Sequence, residues 1–345
     1  MLLLFGLMYT AKHRAPLEAP RAEVPKNLED ILLSLAQPQP GRSIFFLETD
    51  CHWQRNKTRH MGQHPHSSYN LLSLTKRQAC SIESAAMHHP SYQVFVLFAC
   101  STYRQQHKTQ EAFIEALLGY ENVELRQLHI NRYAMGTPIE DWLKYGELYT
   151  SNHVTSHISD FLRYVTLYRY GGIYMDMDVL VLRSLEQLPP NYTGAESATD
   201  LGAGVMSFSP VGIGHQLAKR CLLDLEQNFN GQGWGTNGPG VITRVSQNVC
   251  DTFELTEMLN NRERCRGFQI YEPSVFYPVA SPLWLDYFEP AKLSLTLERT
   301  AAAYTAHMWN TFSKNKLMAI GSGSAYDKLA QQHCPKVYAA AGEYL

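Results

Sequence analysis

A chain of 345 residues, 45% hydrophobic and 11% aromatic, can bury a large core as one big α/β domain or two small ones. A formal net charge of −2 and a pI near 6.7 leave no electrostatic footprint for nucleic acid, and no long run of one charge sign suggests bulk steering. Seven cysteines without a C-x-x-C pair exclude zinc-finger spacing.

The first eleven residues, MLLLFGLMYTA, are apolar but fall short of the roughly 20 residues that a bilayer span needs. Lys12, His13 and Arg14 follow that stretch, whereas a signal peptide carries its positive charge in front. Residues 1–11 therefore read either as an apolar start or as the tail end of a truncated signal anchor. Residues 12–41 read as a stem, punctuated by Pro16, Pro20, Pro25, Pro38 and Pro40 around one short amphipathic piece, LEDILLSLA. The region from residue 42 to 345 reads as one domain, with no repeat and no internal linker.

SIFFLET (43–49) predicts a strand, LLSLTKRQACSIESAAMHH (71–89) a helix and YQVFVLFA (92–99) a buried strand. Between the first two lies a histidine-rich stretch with His52, His60, His64 and His66. Gly62 and Pro65 argue there for a loop rather than for two zinc ligands on one helical face. QEAFIEALLGY predicts a helix, NVELRQL an alternating strand, and PIEDWLKYGELY a helix opened by Pro138. Strand–helix–strand order with continuous apolar strands argues for a largely parallel sheet covered on both faces.

Over 154–170, Ile158, Phe161, Leu162, Val165 and Tyr168 recur at helical spacing, with Asp160 and Arg163 on that helix and Gly171-Gly172 ending it. A strand is expected next, with Tyr174, Asp176 and Asp178 sharing one face. Two carboxylates in an apolar setting need a cation. Oxygen ligands at adjacent positions suit a hard ion such as Mg²⁺ or Mn²⁺ that keeps sites open for phosphate oxygens. A bare D-x-D is a weak signal; the helix, the Gly-Gly stop and the D-x-D together are specific.

SDFLRYVTLYRYGGIYMDMDV (159–179) resembles the donor-sugar signature of D-x-D glycosyltransferases, and most nearly the α-1,4-galactosyltransferase and α-1,4-N-acetylglucosaminyltransferase family. The likeness continues in FFLET (45–49), CSIESA (80–85), WGTNGPGVITRV (234–245), CRG (265–267), FYPV (276–279) and AHMWN (306–310). The LGAGVMSF segment (201–208) departs from the family pattern by lacking an Asn before its small residues.

The resemblance implies a GT-A-type, Rossmann-like glycosyltransferase domain with a mostly parallel sheet flanked by helices. It also implies a Mn²⁺-dependent retaining transferase that moves galactose or N-acetylgalactosamine from a UDP-sugar donor to a glycolipid acceptor. Its address would be the Golgi membrane, through an N-terminal anchor. Asp178 and Asp176 would be the catalytic metal-binding pair, with His307 as a further metal ligand. Asp160 and Arg163 would hold the donor sugar. Phe46, Glu48, Thr49, Tyr174, Trp309 and Asn310 would line the donor site.

Gly233, Gly235 and Gly238 spell G-x-G-x-x-G, but no strand precedes them, so the segment reads as a tight loop into a helix starting at Pro239, beside the acceptor. No P-loop occurs. Cys250 and Cys265 flank a polar segment and are the preferred disulfide, and sequons occur at Asn56 and Asn191. Glu196 and Asp200 are acidic groups near the site without an assigned role. Two rival functions are a D-x-D phosphatase, which lacks its later motifs here, and an inactive glycan-binding relative, which would typically have lost a D-x-D carboxylate.

Overall fold

A computed structural model describes residues 26–51, 70–104 and 111–345. The histidine-rich stretch, the Asn56 sequon and residues 1–11 lie outside these. In chain order the strands are β1 (Lys26–Asn27), β2 (Ser43–Glu48), β3 (Asn70–Leu71), β4 (Gln93–Phe98), β5 (Thr102–Arg104) and β6 (Val123–Gln127). Then come β7 (Gly172–Met175), β8 (Val179–Val181), β9 (Tyr192–Ala195), β10 (Leu201–Phe208), β11 (Gln269–Tyr271) and β12 (Thr305–His307). The helices are α1 (Lys76–His88), α2 (Ala112–Leu118), α3 (Ile130–Ala134), α4 (Glu140–Tyr145), α5 (Val154–Tyr170), α6 (Gly212–Asn228) and α7 (Pro239–Cys250). They continue with α8 (Leu255–Met258), α9 (Pro273–Phe276), α10 (Leu293–Thr300), α11 (Asn310–Ser313), α12 (Ala325–His333) and α13 (Pro335–Ala340).

Seven strands form the central sheet in the order β11-β9-β10-β7-β2-β4-β6. The β7-β2-β4-β6 run is parallel throughout, and only β10 runs against its neighbours. Because successive side chains of β2 point to opposite faces, Phe45 joins the core under α5, α6 and α7, while Phe46 joins the core under α1, α2 and α12. Both faces are covered, and the strands read as unbroken apolar runs for that reason.

Helix α1 begins later than the apolar spacing predicts, at Lys76, because Thr75 caps it. The Thr75 hydroxyl accepts from the Gln78 amide, and the Gln78 side chain accepts from the Thr75 amide at 2.7 Å. The expected helix from Pro138 is cut short at Gly146, leaving α4 and a separate 3₁₀ turn at Leu148–Thr150. Gly171 and Gly172 both take positive φ, and a Cβ at Gly172 would lie 2.3 Å from the Ser43 carbonyl, so glycine alone lets α5 drop directly into β7.

Two expectations need correction. Residues 26–41, assigned to a stem, are part of the domain. Leu28 donates its amide to Thr102, Ile31 donates to Gln127, and the Ile31 side chain is fully buried. The strand expected to run from Ile173 through Asp178 stops at Met175. The Asp176 amide bonds to Gly204 on β10, the Val179 amide bonds back to Asp176, and the chain turns away into β8, which pairs with β12 in a separate ribbon. The D-x-D carboxylates therefore sit on a turn beyond the carboxyl end of β7.

Three disulfides join Cys51 to Cys100, Cys80 to Cys334 and Cys250 to Cys265, and Cys221 is a buried free thiol. The last bridge is the pair preferred from sequence. No helix among the described residues is long and apolar enough to cross a membrane.

Candidate active site

The turn after β7 brings Asp176 and Asp178 to His307 at the end of β12, with one ligand atom from each within 4.8 Å of the others. His307 Nε2 lies 3.4 Å from Asp178 Oδ1 and 3.8 Å from Asp176 Oδ2. The Trp309 amide donates to His307 Nδ1 at 3.1 Å, leaving Nε2 to face the carboxylates. Burial alone would pull the imidazole pKa down, but Asp178 and Asp176 outweigh it and hold it above the usual histidine value.

Behind this cluster runs a chain of charge. Asp176 Oδ1 accepts from the Tyr174 hydroxyl at 2.6 Å and pairs with Arg163 at 3.2 Å. Burial opposes the Asp176 charge, but Arg163, then His307 and Tyr174, hold its pKa down at about 2. Arg163 reaches on to Asp160 at 3.0 Å, donates to the Ala203 carbonyl at 2.8 Å, and lies over the Tyr174 ring. Asp160 is the less favoured carboxylate. Burial pushes it up to about 7 despite the Arg163 guanidinium. The cation that meets the buried aspartates is thus partly the protein's own Arg163.

The remaining donor-site candidates fall into different places. Glu48 ends β2, with one carboxylate oxygen accepting from the Asp50 amide at 2.7 Å and the other from Gln78 at 2.6 Å. Burial raises its pKa. Thr49 is buried and bonds to the Thr155 carbonyl, fixing the start of α5 against the end of β2. Phe46 is fully buried beneath α1, so its side chain lines no cleft; this corrects the expectation from the strand end. Trp309 packs behind His307 with ring centroids 4.4 Å apart and donates its indole N–H to Val279. Its φ of 52°, rare for a bulky residue, turns the chain so that the Asn310 amide donates to Asp178 Oδ2 at 2.6 Å. Asn310 thus acts on Asp178 through its backbone.

Sequence reasoning missed Tyr277 and Gly238. Tyr277 packs against the His307 and Trp309 rings and accepts from the Val205 amide. Gly238 abuts Asp160, where a Cβ would lie 2.2 Å from Oδ1. The glycine spacing hinted at a tight loop and gave no clue to its neighbour. Glu196, on the turn between β9 and β10, is half-buried and pushed up to about 7 by burial, with His307 and Asp176 acting on it through space. The Asn191 sequon is unsuited to a glycan in the folded chain. Its side chain is buried and accepts from the Ser209 amide and hydroxyl.

A covered, mostly parallel sheet whose open end carries a D-x-D turn, a histidine and a buried Asp–Arg pair defines a sugar-nucleotide-dependent glycosyltransferase. Residues 75–195 match the glycosyltransferase sugar-binding region containing the DXD motif, and residues 210–341 match the alpha 1,4-glycosyltransferase conserved region. The chain is 30% identical over 266 residues to lactosylceramide 4-alpha-galactosyltransferase of Rattus norvegicus, covering 77% of this chain and 72% of that enzyme. It is 27% identical over 264 residues to human alpha-1,4-N-acetylglucosaminyltransferase, covering 75% and 74% of the two chains. Among solved structures, the PaToxG glycosyltransferase aligns over 78% of this chain and 90% of its own at 13% identity, with a TM-score of 0.40. The chain belongs to the α-1,4-glycosyltransferase family.

Proposed function

We propose that the protein is a retaining, Mn²⁺-dependent α-1,4-glycosyltransferase that moves galactose or N-acetylgalactosamine from a UDP-sugar to the terminal sugar of a glycosphingolipid. The observation that carries this reading is the convergence of Asp176, Asp178 and His307 on one point at the open end of the sheet. Two carboxylates and an imidazole suit Mn²⁺, which tolerates mixed oxygen and nitrogen ligands and keeps sites open for phosphate. When bound there, such an ion neutralises the charge that develops on a departing diphosphate.

This chain's own residues set up that chemistry. Arg163 keeps Asp176 ionised, the Asn310 amide orients Asp178, and Trp309 and Tyr277 hold the His307 ring by packing and hydrogen bonding. Asp160 keeps one carboxylate oxygen on Arg163, and we assign its carboxylate to a hydroxyl of the donor sugar. Family membership sets aside the phosphatase, and retention of all three metal-site residues favours an active enzyme over a glycan-binding relative.

Three disulfides fit the oxidising lumen of the secretory pathway, and we place the enzyme in the Golgi with residues 1–11 contributing to its anchor. UDP release from UDP-galactose, UDP-N-acetylgalactosamine, UDP-N-acetylglucosamine and UDP-glucose, with and without Mn²⁺, tests the reaction, followed by NMR of the product. An α-1,4 product formed only with Mn²⁺ is expected. A β linkage, or UDP-glucose as the sole competent donor, would overturn the assignment.

A further inference from the structure

The loop from Phe229 to Gly238 is tied down along almost its whole backbone. Asn230 Oδ1 accepts from the amides of Gln232 and Gly233 at 2.9 and 3.2 Å. Asn237 bonds both the amide and the carbonyl of Asn230, at 3.0 and 2.9 Å. The Gly231 carbonyl accepts from the Ser151 hydroxyl and the Asn152 amide, and the Gly233 carbonyl accepts from His157 at 3.1 Å. At the far end the Gly240 amide bonds to Gly235, and the Tyr164 hydroxyl donates to Gly238 at 2.8 Å. From the middle of this fixed loop, between Gly233 and Gly235, projects Trp234, which stays 50% exposed.

An indole is costly to leave in water, and cores and interfaces cover it where they can. Here the scaffold spends many hydrogen bonds on holding still a loop that then displays the ring. Position supplies the second argument. A chain of contacts links His307 and Asp178 to Asp176, Asp176 to Arg163 at 3.2 Å, Arg163 to Asp160 at 3.0 Å, and Asp160 to Gly238 against it. On the proposed function the metal cluster serves the diphosphate and Asp160 serves the donor sugar. Gly238, at the end of the loop that carries Trp234, then puts that loop next to the donor sugar, where the acceptor sugar must also come. A pyranose has an apolar C–H face that stacks on an aromatic ring, with its hydroxyls left free for directional bonds.

We infer that Trp234 is the stacking platform for the terminal pyranose of the acceptor, held rigid by the Asn230–Asn237 clasp so that the attacking hydroxyl is presented to the donor sugar across Asp160. This rests on the reading of the chain as a sugar-to-sugar transferase.

The test compares wild type with Trp234→Ala and Trp234→Tyr, using lactose as the acceptor probe and UDP-galactose as donor. Lactose binding is followed by saturation-transfer NMR, and UDP release is followed with and without lactose. For Trp234→Ala we expect the acceptor KM to rise about tenfold or more. Donor KM and acceptor-free UDP release should stay at the wild-type level, and Trp234→Tyr should recover most of the loss. Lactose saturation transfer should weaken in the alanine variant and persist in the tyrosine one. Unchanged lactose binding and acceptor KM in Trp234→Ala overturn the inference, as does a rise in donor KM in place of acceptor KM. A wild-type protein that releases UDP from no UDP-sugar overturns the underlying reading instead.

Discussion

At the scale of single residues, the site depends on carboxylates whose charge is set by their neighbours. Asp178 is oriented by one backbone amide and faces His307 at 3.4 Å. Replacing it with Asn keeps the shape and removes the charge that a metal requires. We expect Asp178→Asn to lose transfer by about 10³-fold or more while unfolding at a temperature close to wild type. Full activity of that variant in chelator-treated buffer would sink the assignment of the D-x-D turn. Gly238 offers a less obvious probe. Its backbone lies against Asp160, and an added methyl would meet Oδ1 at 2.2 Å, so Gly238→Ala must displace either the carboxylate or the loop. With Asp160 holding the donor sugar as proposed, the variant should raise donor KM and cut kcat by more than its lowered unfolding temperature accounts for. Wild-type kinetics in Gly238→Ala would show that Asp160 is not held where the donor needs it.

At the scale of elements, α1 and α12 pack together beside the Cys80–Cys334 bridge and set a half-buried His88 against a buried His333, with His88 Nε2 lying 2.9 Å from His333 Nδ1. Burial, reinforced by His88, pulls His333 down to about 4. A histidine whose folded pKa lies below its unfolded value keeps its full stabilisation above the unfolded pKa and loses it as the pH falls toward the folded one. The window here runs from about pH 6.5 down to about 4. Thermal unfolding followed from pH 7 to pH 4.5 should show a steeper fall for wild type than for His333→Gln; parallel curves would mean the pair does not carry the effect.

The helices and strands were legible because apolar spacing survives packing: 154–170 is helical as its periodicity predicts, and 43–48 is a strand. The end of β7 was not legible. Tyr174, Asp176 and Asp178 continue the alternation of a strand, while the break is imposed by β10, whose Gly204 carbonyl takes the Asp176 amide. Phe46 misled for a related reason. In a strand covered on both faces, neither alternate set of side chains is marked as facing a ligand. Of the site, the D-x-D pair, His307 and the Asp160–Arg163 helix could be read from motifs. The contacts of Tyr277 and Gly238 could not, because they join segments far apart in the chain.

At the scale of the whole molecule, the question is where the domain begins. The prolines before residue 42 suggested a solvated stem, yet the segment from residue 26 onward is woven into the edge of the sheet. Leu28 and Ile31 donate amides to Thr102 and Gln127, the Gln127 amide returns to Glu29, and Asp30 pairs with Arg132 at 3.4 Å. Ile31 is fully buried in the same core as Phe95, Leu128 and Tyr133. Deleting a side chain in that setting costs about 2–5 kcal/mol, a large share of the ~5–15 kcal/mol that holds a domain together. A chain beginning at Lys26 should therefore fold, unfold cooperatively near the full-length temperature, and transfer sugar to a soluble acceptor. A chain beginning at Arg42 strips the outer edge beside β6, leaves a cavity where Ile31 sat, and exposes the Gln127 backbone. We expect it to unfold at least 8 °C lower or to aggregate on expression, since 1 kcal/mol moves the midpoint of a large domain by about 2–4 °C. Equal midpoints for the two chains would return residues 26–41 to the stem.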